Sequence, residues 1–227
     1  MKRIFFYTVF LLPAMAIGQS KKAASNFVIT GKIAGIDSGM IYLSEFVMNG
    51  GKDSAVIKNG TFRFTGRVKE PTPFILYRGT TFVNKPSLLL FVENAAIYID
   101  ADNEVSDKST ITGSLSDNDY RVHIKQIRPL NDQLSKLSAR SRQIAKDDTE
   151  KQDSIKNAWS SIDAQRKDSI KFFIKTYPSS AVSAWAITRF FIFQPDLPLL
   201  QSLYDGLDPA VQSTSYGKQV KIGRAHV

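Results

Sequence analysis

The sequence predicts an α+β fold: an antiparallel β-sandwich over residues 26–114, then an α-helical region over 115–220 made of a helical hairpin and short helices. Three observations carry this reading. Asp53–Val68 (DSAVIKNGTFRFTGRV) spells a β-hairpin around Asn59-Gly60, a dipeptide that supplies the two positive-φ positions of a type I′ turn. Short runs with period-two alternation follow one another at near-regular spacing, with Gly, Asn and Pro between them. Near Ser114 the apolar spacing changes from two to three or four.

Each element follows from its own residues. Asn26–Ala34 places Phe27, Ile29, Gly31 and Ile33 on one face of a strand, and Gly35–Gly39 turns it. Met40–Phe46 is a second strand, ended by Asn49-Gly50-Gly51. In the hairpin, Ala55 and Ile57 face the same way as Phe62 and Phe64. Pro71 and Pro73 break the chain before the strand Phe74–Arg78. After Pro86, Ser87–Val92 (SLLLFV) is apolar without alternation, as suits a strand buried on both faces. Glu93-Asn94 turns it, Ala95–Ala101 is a further strand, and Thr110–Gly113 closes the series. The pattern fits a sandwich or a barrel.

The helical half opens with cap-forming residues Ser116–Asp119. Ile124, Ile127, Leu130, Leu134 and Leu137 then form a narrow stripe, with Pro129 expected to kink or interrupt it. Charged Lys146–Asp153 reads as the bend of a hairpin. A second helix runs through Ile155, Trp159, Ile162 and Ile170 to Phe172-Phe173 and stops at Tyr177-Pro178. Ser179-Ser180 caps a third, Ala181–Phe193, followed past Pro195 and Pro198 by short helices over Leu199–Leu207 and Pro209–Tyr216.

Residues 1–18 read as a signal peptide: Lys2 and Arg3, then the apolar run Ile4–Leu12, then Ala16-Ile17-Gly18 with a cut after Gly18. The apolar run is too short to span a bilayer. No cysteine stands near the cut, so the reading is export to the periplasm or cell envelope without a lipid anchor. The 227-residue chain carries a formal charge of +9. Its cations are spread, many of them within Lys125–Lys175 beside acids and glutamines, which fits a solvated helix surface better than a phosphate-binding stripe. Nucleic acid is therefore not an expected partner. At the other end, Ile222–Val227 (IGRAHV) matches one translated frame of a common sequencing adapter, and Lys221 fits that frame. Residues 221–227 are accordingly expected to be foreign to the gene.

The residues offer little chemistry. With no cysteine there is no disulfide, thiolate metal site or thiol nucleophile in the chain. His123 reads as a surface residue of a polar helix, with no second ligand at metal spacing and no placed partner for Ser/His/Asp catalysis, and His226 falls in the adapter-like tail. The pairs Asp100/Asp102 and Asp117/Asp119 read as solvated turn and cap residues rather than an acid–base pair. Gly31 and Gly35 are too loosely spaced for a nucleotide fingerprint. Phe172, Phe173, Trp185, Phe190, Phe191 and Phe193 read as core rather than a pocket, and Tyr42, Tyr77 and Tyr98 as scattered. No catalytic, cofactor-binding or metal-binding residue is assigned, and no cofactor is expected.

The order of segments carries more. DSAVIKNGTFRFTGRVKEP, then FVEN with AAIYID, then TITGS, resembles the uncharacterised β-rich domain at the N-terminus of many exported bacterial TlpA-like thiol:disulfide oxidoreductases. FFIKTYPSSAVSAWA and LYDGLDPAVQSTSYGKQV resemble the helical linker region that follows it, so the likeness covers about residues 26–221. In that family a thioredoxin-fold domain comes next, with a Cys-x-x-Cys pair whose low-pKa thiolate attacks disulfides. This chain has no cysteine, so no catalytic residue carries over. The resemblance implies a non-catalytic N-terminal module, cut before its thioredoxin-like domain, that targets, presents substrate or dimerises. Its expected partners are that missing domain, envelope proteins as redox substrates and a second copy of itself. The competing reading is a stand-alone envelope binding protein for glycan or peptide, and a third is a structural partner of an outer-membrane assembly. Phe190, Phe191 and Phe193 are at risk of exposure if the third helix awaits another domain.

Overall fold

The computed structural model describes residues 26–46, 50–83, 85–145, 147–192 and 196–225. The expected leader Met1–Gly18, together with Asn49, Lys146, Phe193, Pro195 and His226, lies outside the described residues. Eight strands come first: β1 (Phe27–Ile33), β2 (Ser38–Glu45), β3 (Lys52–Lys58), β4 (Thr61–Gly66), β5 (Thr72–Arg78), β6 (Ser87–Val92), β7 (Ala96–Ala101) and β8 (Thr110–Thr112). Helices follow: α1 (Leu115–Ser141), α2 (Thr149–Thr176), α3 (Ala181–Phe190), α4 (Leu197–Asp205), α5 (Pro209–Gln212) and α6 (Ser215–Ala225). The protein is α+β.

The strands form one sheet in the order β6-β5-β2-β3-β4-β1-β7-β8. Its pairings are antiparallel except β1 with β7, which run parallel from Val28 opposite Ala96 to Ile33 opposite Ala101. Alternation along a strand fixes which face is buried and says nothing of direction, so this departure from an all-antiparallel arrangement was not visible in the sequence. The β3–β4 turn is as expected, with Asn59 at φ 48° and Gly60 at φ 72°. Beyond it the hydrogen-bonded ladder stops, with Lys58 and Thr61 the one pair, although the two strands stay close. The sheet thus divides into four-stranded halves, β6-β5-β2-β3 and β4-β1-β7-β8. Ile41, Leu43, Leu76 and Leu88 of one half share a core with Ile29, Phe62, Phe64 and Ile97 of the other. The halves face each other as in a sandwich, but they belong to one curled sheet. Glu93–Ala95 alone joins β6 at one edge to β7 near the other, which brings the ends of the sheet together.

β6 is buried on both faces, as its unbroken apolar run requires. Leu88, Leu90 and Val92 enter the core between the halves, while Phe91 and Leu89 pack among the helices. Phe91 therefore belongs to a second core with Tyr120, Ile127, Phe173, Trp185 and Ile187.

The helices refine several boundaries. The N-cap of α1 is Ser114, whose side chain accepts from the Asp117 N–H, not one of Ser116–Asp119. α1 runs unbroken through Pro129. Pro129 and Lys125 are both exposed, so water can take the bond that the missing N–H gives up. Asp148 caps α2, which absorbs Thr149–Asp153 and leaves a shorter connection than the charged stretch suggested. α3 stops at Phe190, and the single helix expected over Pro209–Tyr216 is two, α5 and α6. α6 continues through Lys221 to Ala225. Val182, Ala184, Ala186 and Ile187 of α3 are wholly buried by this chain itself, Phe191 is buried and Phe190 is half-buried. The third helix therefore does not wait for another domain to cover it.

Candidate functional site

Two polar residues of the helical half lie deep in the protein, against the sequence reading. Asp117, expected to be a solvated cap residue, is 1% exposed. Its Oδ1 accepts the backbone N–H of Phe91 at 3.0 Å, and its carboxylate pairs with Arg121 at 3.0 Å. Arg121 also donates to the Leu89 carbonyl, and the Ser114 hydroxyl donates to the Phe91 carbonyl at 3.0 Å. Side chains at the start of α1 thus take up backbone groups on the free edge of β6, where a further strand would otherwise bind. From the other side, the Glu93 carboxylate accepts from the Ser116 hydroxyl at 2.8 Å and from the backbone N–H of Leu115. Spacing alone could not reveal this joint, because Phe91 and Asp117 meet only once the sheet has curled.

His123, expected at the surface, is wholly buried. Its ring lies 4.9 Å from that of Phe173, 6.0 Å from Phe190 and 6.2 Å from Trp185. Neither ring nitrogen has a hydrogen-bond partner among the described residues. Burial pushes its pKa down to about 4, so the ring is neutral at ordinary pH. A histidine enclosed by aromatic rings has no path to a substrate and serves as core. The same packing answers the aromatic series: Phe173, Trp185 and Phe191 are buried, whereas Phe172 is exposed at 64%.

The remaining expectations sort plainly. Asp100 and Asp102 are exposed at the end of β7 and beyond it. Tyr42 and Tyr77 are not scattered: register places them opposite each other, their rings stack at 5.5 Å, and Lys52 lies 4.3 Å over Tyr42. Tyr98 stands apart on β7, 44% exposed. Among the described residues, no group of three or more His, Cys, Asp or Glu side chains could hold a metal ion. No described helix is long and apolar enough to cross a membrane.

One place that the fold leaves open among the described residues is the seam where the β3–β4 ladder stops. A groove of about 440 Å³ runs across the outer face of the sheet there, lined by Lys32, Val56, Lys58, Thr61, Arg63 and Tyr98. Val56 is 54% exposed on its rim. Lys32, Lys58 and Arg63 form no ion pair among the described residues, although Asp100 stands opposite Lys32 in register. The groove holds cations and apolar surface, with no thiol and no histidine in its lining. Such a surface can hold a partner.

A family model described as a domain of unknown function (DUF4369) matches residues 27–120, which spans all eight strands and the first turns of α1. No curated protein and no solved structure matches the chain.

Proposed function

We propose that this chain is a non-catalytic binding module of an exported thiol:disulfide oxidoreductase, acting in the periplasm or cell envelope, with the redox step carried by a separate thioredoxin-like domain. The open basic groove at the β3–β4 seam carries this reading, because it offers a place to dock a partner. The match at 27–120 falls on the same β-rich segment that resembles the N-terminal domain of those oxidoreductases. The cysteine-free composition accords with a role beside the reaction rather than in it. In this role the module targets the enzyme, presents its substrate or dimerises.

A thiol-reductase assay on the purified chain tests the non-catalytic half of the proposal. No turnover is expected, and measurable turnover overturns it. Sequencing the native locus tests the redox half. A reading frame that continues into a Cys-x-x-Cys thioredoxin pattern is expected. A natural stop there overturns the redox link and leaves the second reading that the groove supports, a stand-alone envelope binding protein for peptide or glycan.

A further inference from the structure

We propose that the groove binds an acidic polysaccharide, a chain of carboxylated sugars laid across the strands on the outer face of the sheet. Register arranges this face in two rows. Thr30 on β1 stands opposite Arg63 on β4 and opposite Tyr98 on β7. Two residues along, Lys32 stands opposite Thr61 and Asp100, and Thr61 pairs with Lys58. Opposed residues share a face of a sheet. The rows Arg63–Thr30–Tyr98 and Lys58–Thr61–Lys32 therefore run side by side across the strands, and all six residues line the groove. Arg63 and Tyr98 lie two strand spacings apart, about 10 Å, a span that linked sugar rings cross and a single small anion does not.

Charge and surface chemistry select the occupant. Lys32, Lys58 and Arg63 form no ion pair among the described residues, and of the three only Lys32 has a carboxylate opposite it in register, that of Asp100. Lys58 and Arg63 are thus uncompensated, and the fork of a guanidinium matches a carboxylate. Tyr98, 44% exposed, offers the flat apolar face on which a sugar ring can lie. The Thr30 hydroxyl makes no hydrogen bond among the described residues, which leaves it for a sugar hydroxyl. A peptide fits this surface less well. One read through its backbone needs a free strand edge, whereas β1, in the middle of the face, is paired on both sides. One read as an amphipathic helix needs several apolar anchors, whereas Val56 is the one exposed aliphatic side chain of the lining. This gives the binding role proposed above its ligand class, and it rests on that role rather than on any redox partner.

The test titrates the purified chain with a short oligogalacturonate in a calorimeter and locates binding by backbone amide shifts. The methyl ester of the same oligomer and a Glu oligopeptide of equal charge are the controls. Binding of the uronate is expected, weakening with salt, with shifts at Thr30, Arg63 and Tyr98. The ester keeps the rings and loses the charge; the peptide keeps the charge and lacks the rings. Each should bind about tenfold more weakly than the uronate, or worse. Tyr98→Ala should weaken the uronate about tenfold, and Arg63→Gln about fivefold. Should either variant fail to fold, Lys58→Gln beside the hairpin turn should show a loss like that of Arg63→Gln. Absent uronate binding, a Glu peptide or an ester that binds as tightly, or variants that bind like the wild type would each overturn the proposal. Absent uronate binding together with absent thiol turnover removes this site and leaves the non-catalytic module standing; turnover with uronate binding does the reverse.

Discussion

The carboxylate of Asp117 accepts the backbone N–H of Phe91 at 3.0 Å, although the two residues lie on different layers of the protein. Phe91 turns its ring into the helical core while its backbone holds the edge of the sheet. One carboxylate thus fastens the sheet to the first helix, and the buried Ser114 hydroxyl completes the joint on the Phe91 carbonyl.

Asp117→Ala should therefore cost about 2–3 kcal/mol, since it leaves a buried N–H unsatisfied and strands Arg121. Asp117→Asn keeps an acceptor for Phe91 and loses only the charge, so it should cost about half as much. Urea unfolding gives both values, and hydrogen exchange at the Phe91 amide should quicken more in the alanine variant. Equal stability of wild type and Asp117→Ala would show that the joint contributes nothing.

His123 predicts a pH dependence with a definite sign. Its folded-state pKa is depressed by burial to about 4 from the ordinary 6.5, so the unfolded chain binds the proton first. Stability from this group is whole above about pH 6.5, falls as the pH drops toward 4, and changes no further below that, a total of about 3 kcal/mol. His123→Leu should remove this component without opening a cavity. The measurement is the difference between the two unfolding free energies across pH 4–7, which isolates His123 from the carboxylates. A flat difference would mean that the folded ring takes up a proton as readily as the unfolded one.

Gly31 on β1 lies directly opposite Phe62 on β4. A Cβ built on Gly31 would stand 2.2 Å from the Phe62 ring, which occupies the space a side chain would fill. Gly31→Ala should destabilise by about 2 kcal/mol through overpacking. Phe62→Ala alone should cost about 3 kcal/mol through lost burial. In the double variant the ring is gone and only the Ile99 carbonyl, 2.9 Å away, still crowds the methyl group, so the combined loss should fall short of the sum. Additive losses in a double-mutant cycle would show that the two residues do not compete for one volume.

The hairpin turn gives a smaller effect. Gly60 sits at φ 72° with the Ile33 carbonyl 3.1 Å from where a Cβ would stand. Gly60→Ala should cost about 1 kcal/mol, whereas Asn59→Gly at its neighbour should change stability by only a few tenths. Thermal unfolding of the two variants side by side is sufficient.

Much of the β half was legible because its signals are local. Asn59-Gly60 dictates a turn whatever surrounds it, and the unbroken run at Ser87–Val92 states that both faces of the strand are covered. The change of period at Ser114 marks where sheet gives way to helix. Asp117 and His123 were misplaced for a shared reason. A polar side chain looks the same in a sequence whether water or a distant backbone amide receives it. Asp117 is dry because Phe91 and Arg121 satisfy it, and His123 is dry because three aromatic rings enclose it. The candidate groove was illegible for the complementary reason: it lies where the β3–β4 ladder stops after one residue pair, and nothing in an alternating hairpin announces where its ladder ends.

Taken by itself, the sequence determined the secondary elements, the inward face of each strand, the absence of cysteine chemistry and the position of the tightest turn. Those properties depend on a residue and its near neighbours. The tertiary structure alone decided that β1 meets β7 in parallel, that the β6 edge is filled by side chains of α1, and that the β3–β4 ladder stops after one pair beside a groove lined with cations. Each depends on contacts between segments far apart in the chain, where curvature and burial, rather than local preference, choose the partner.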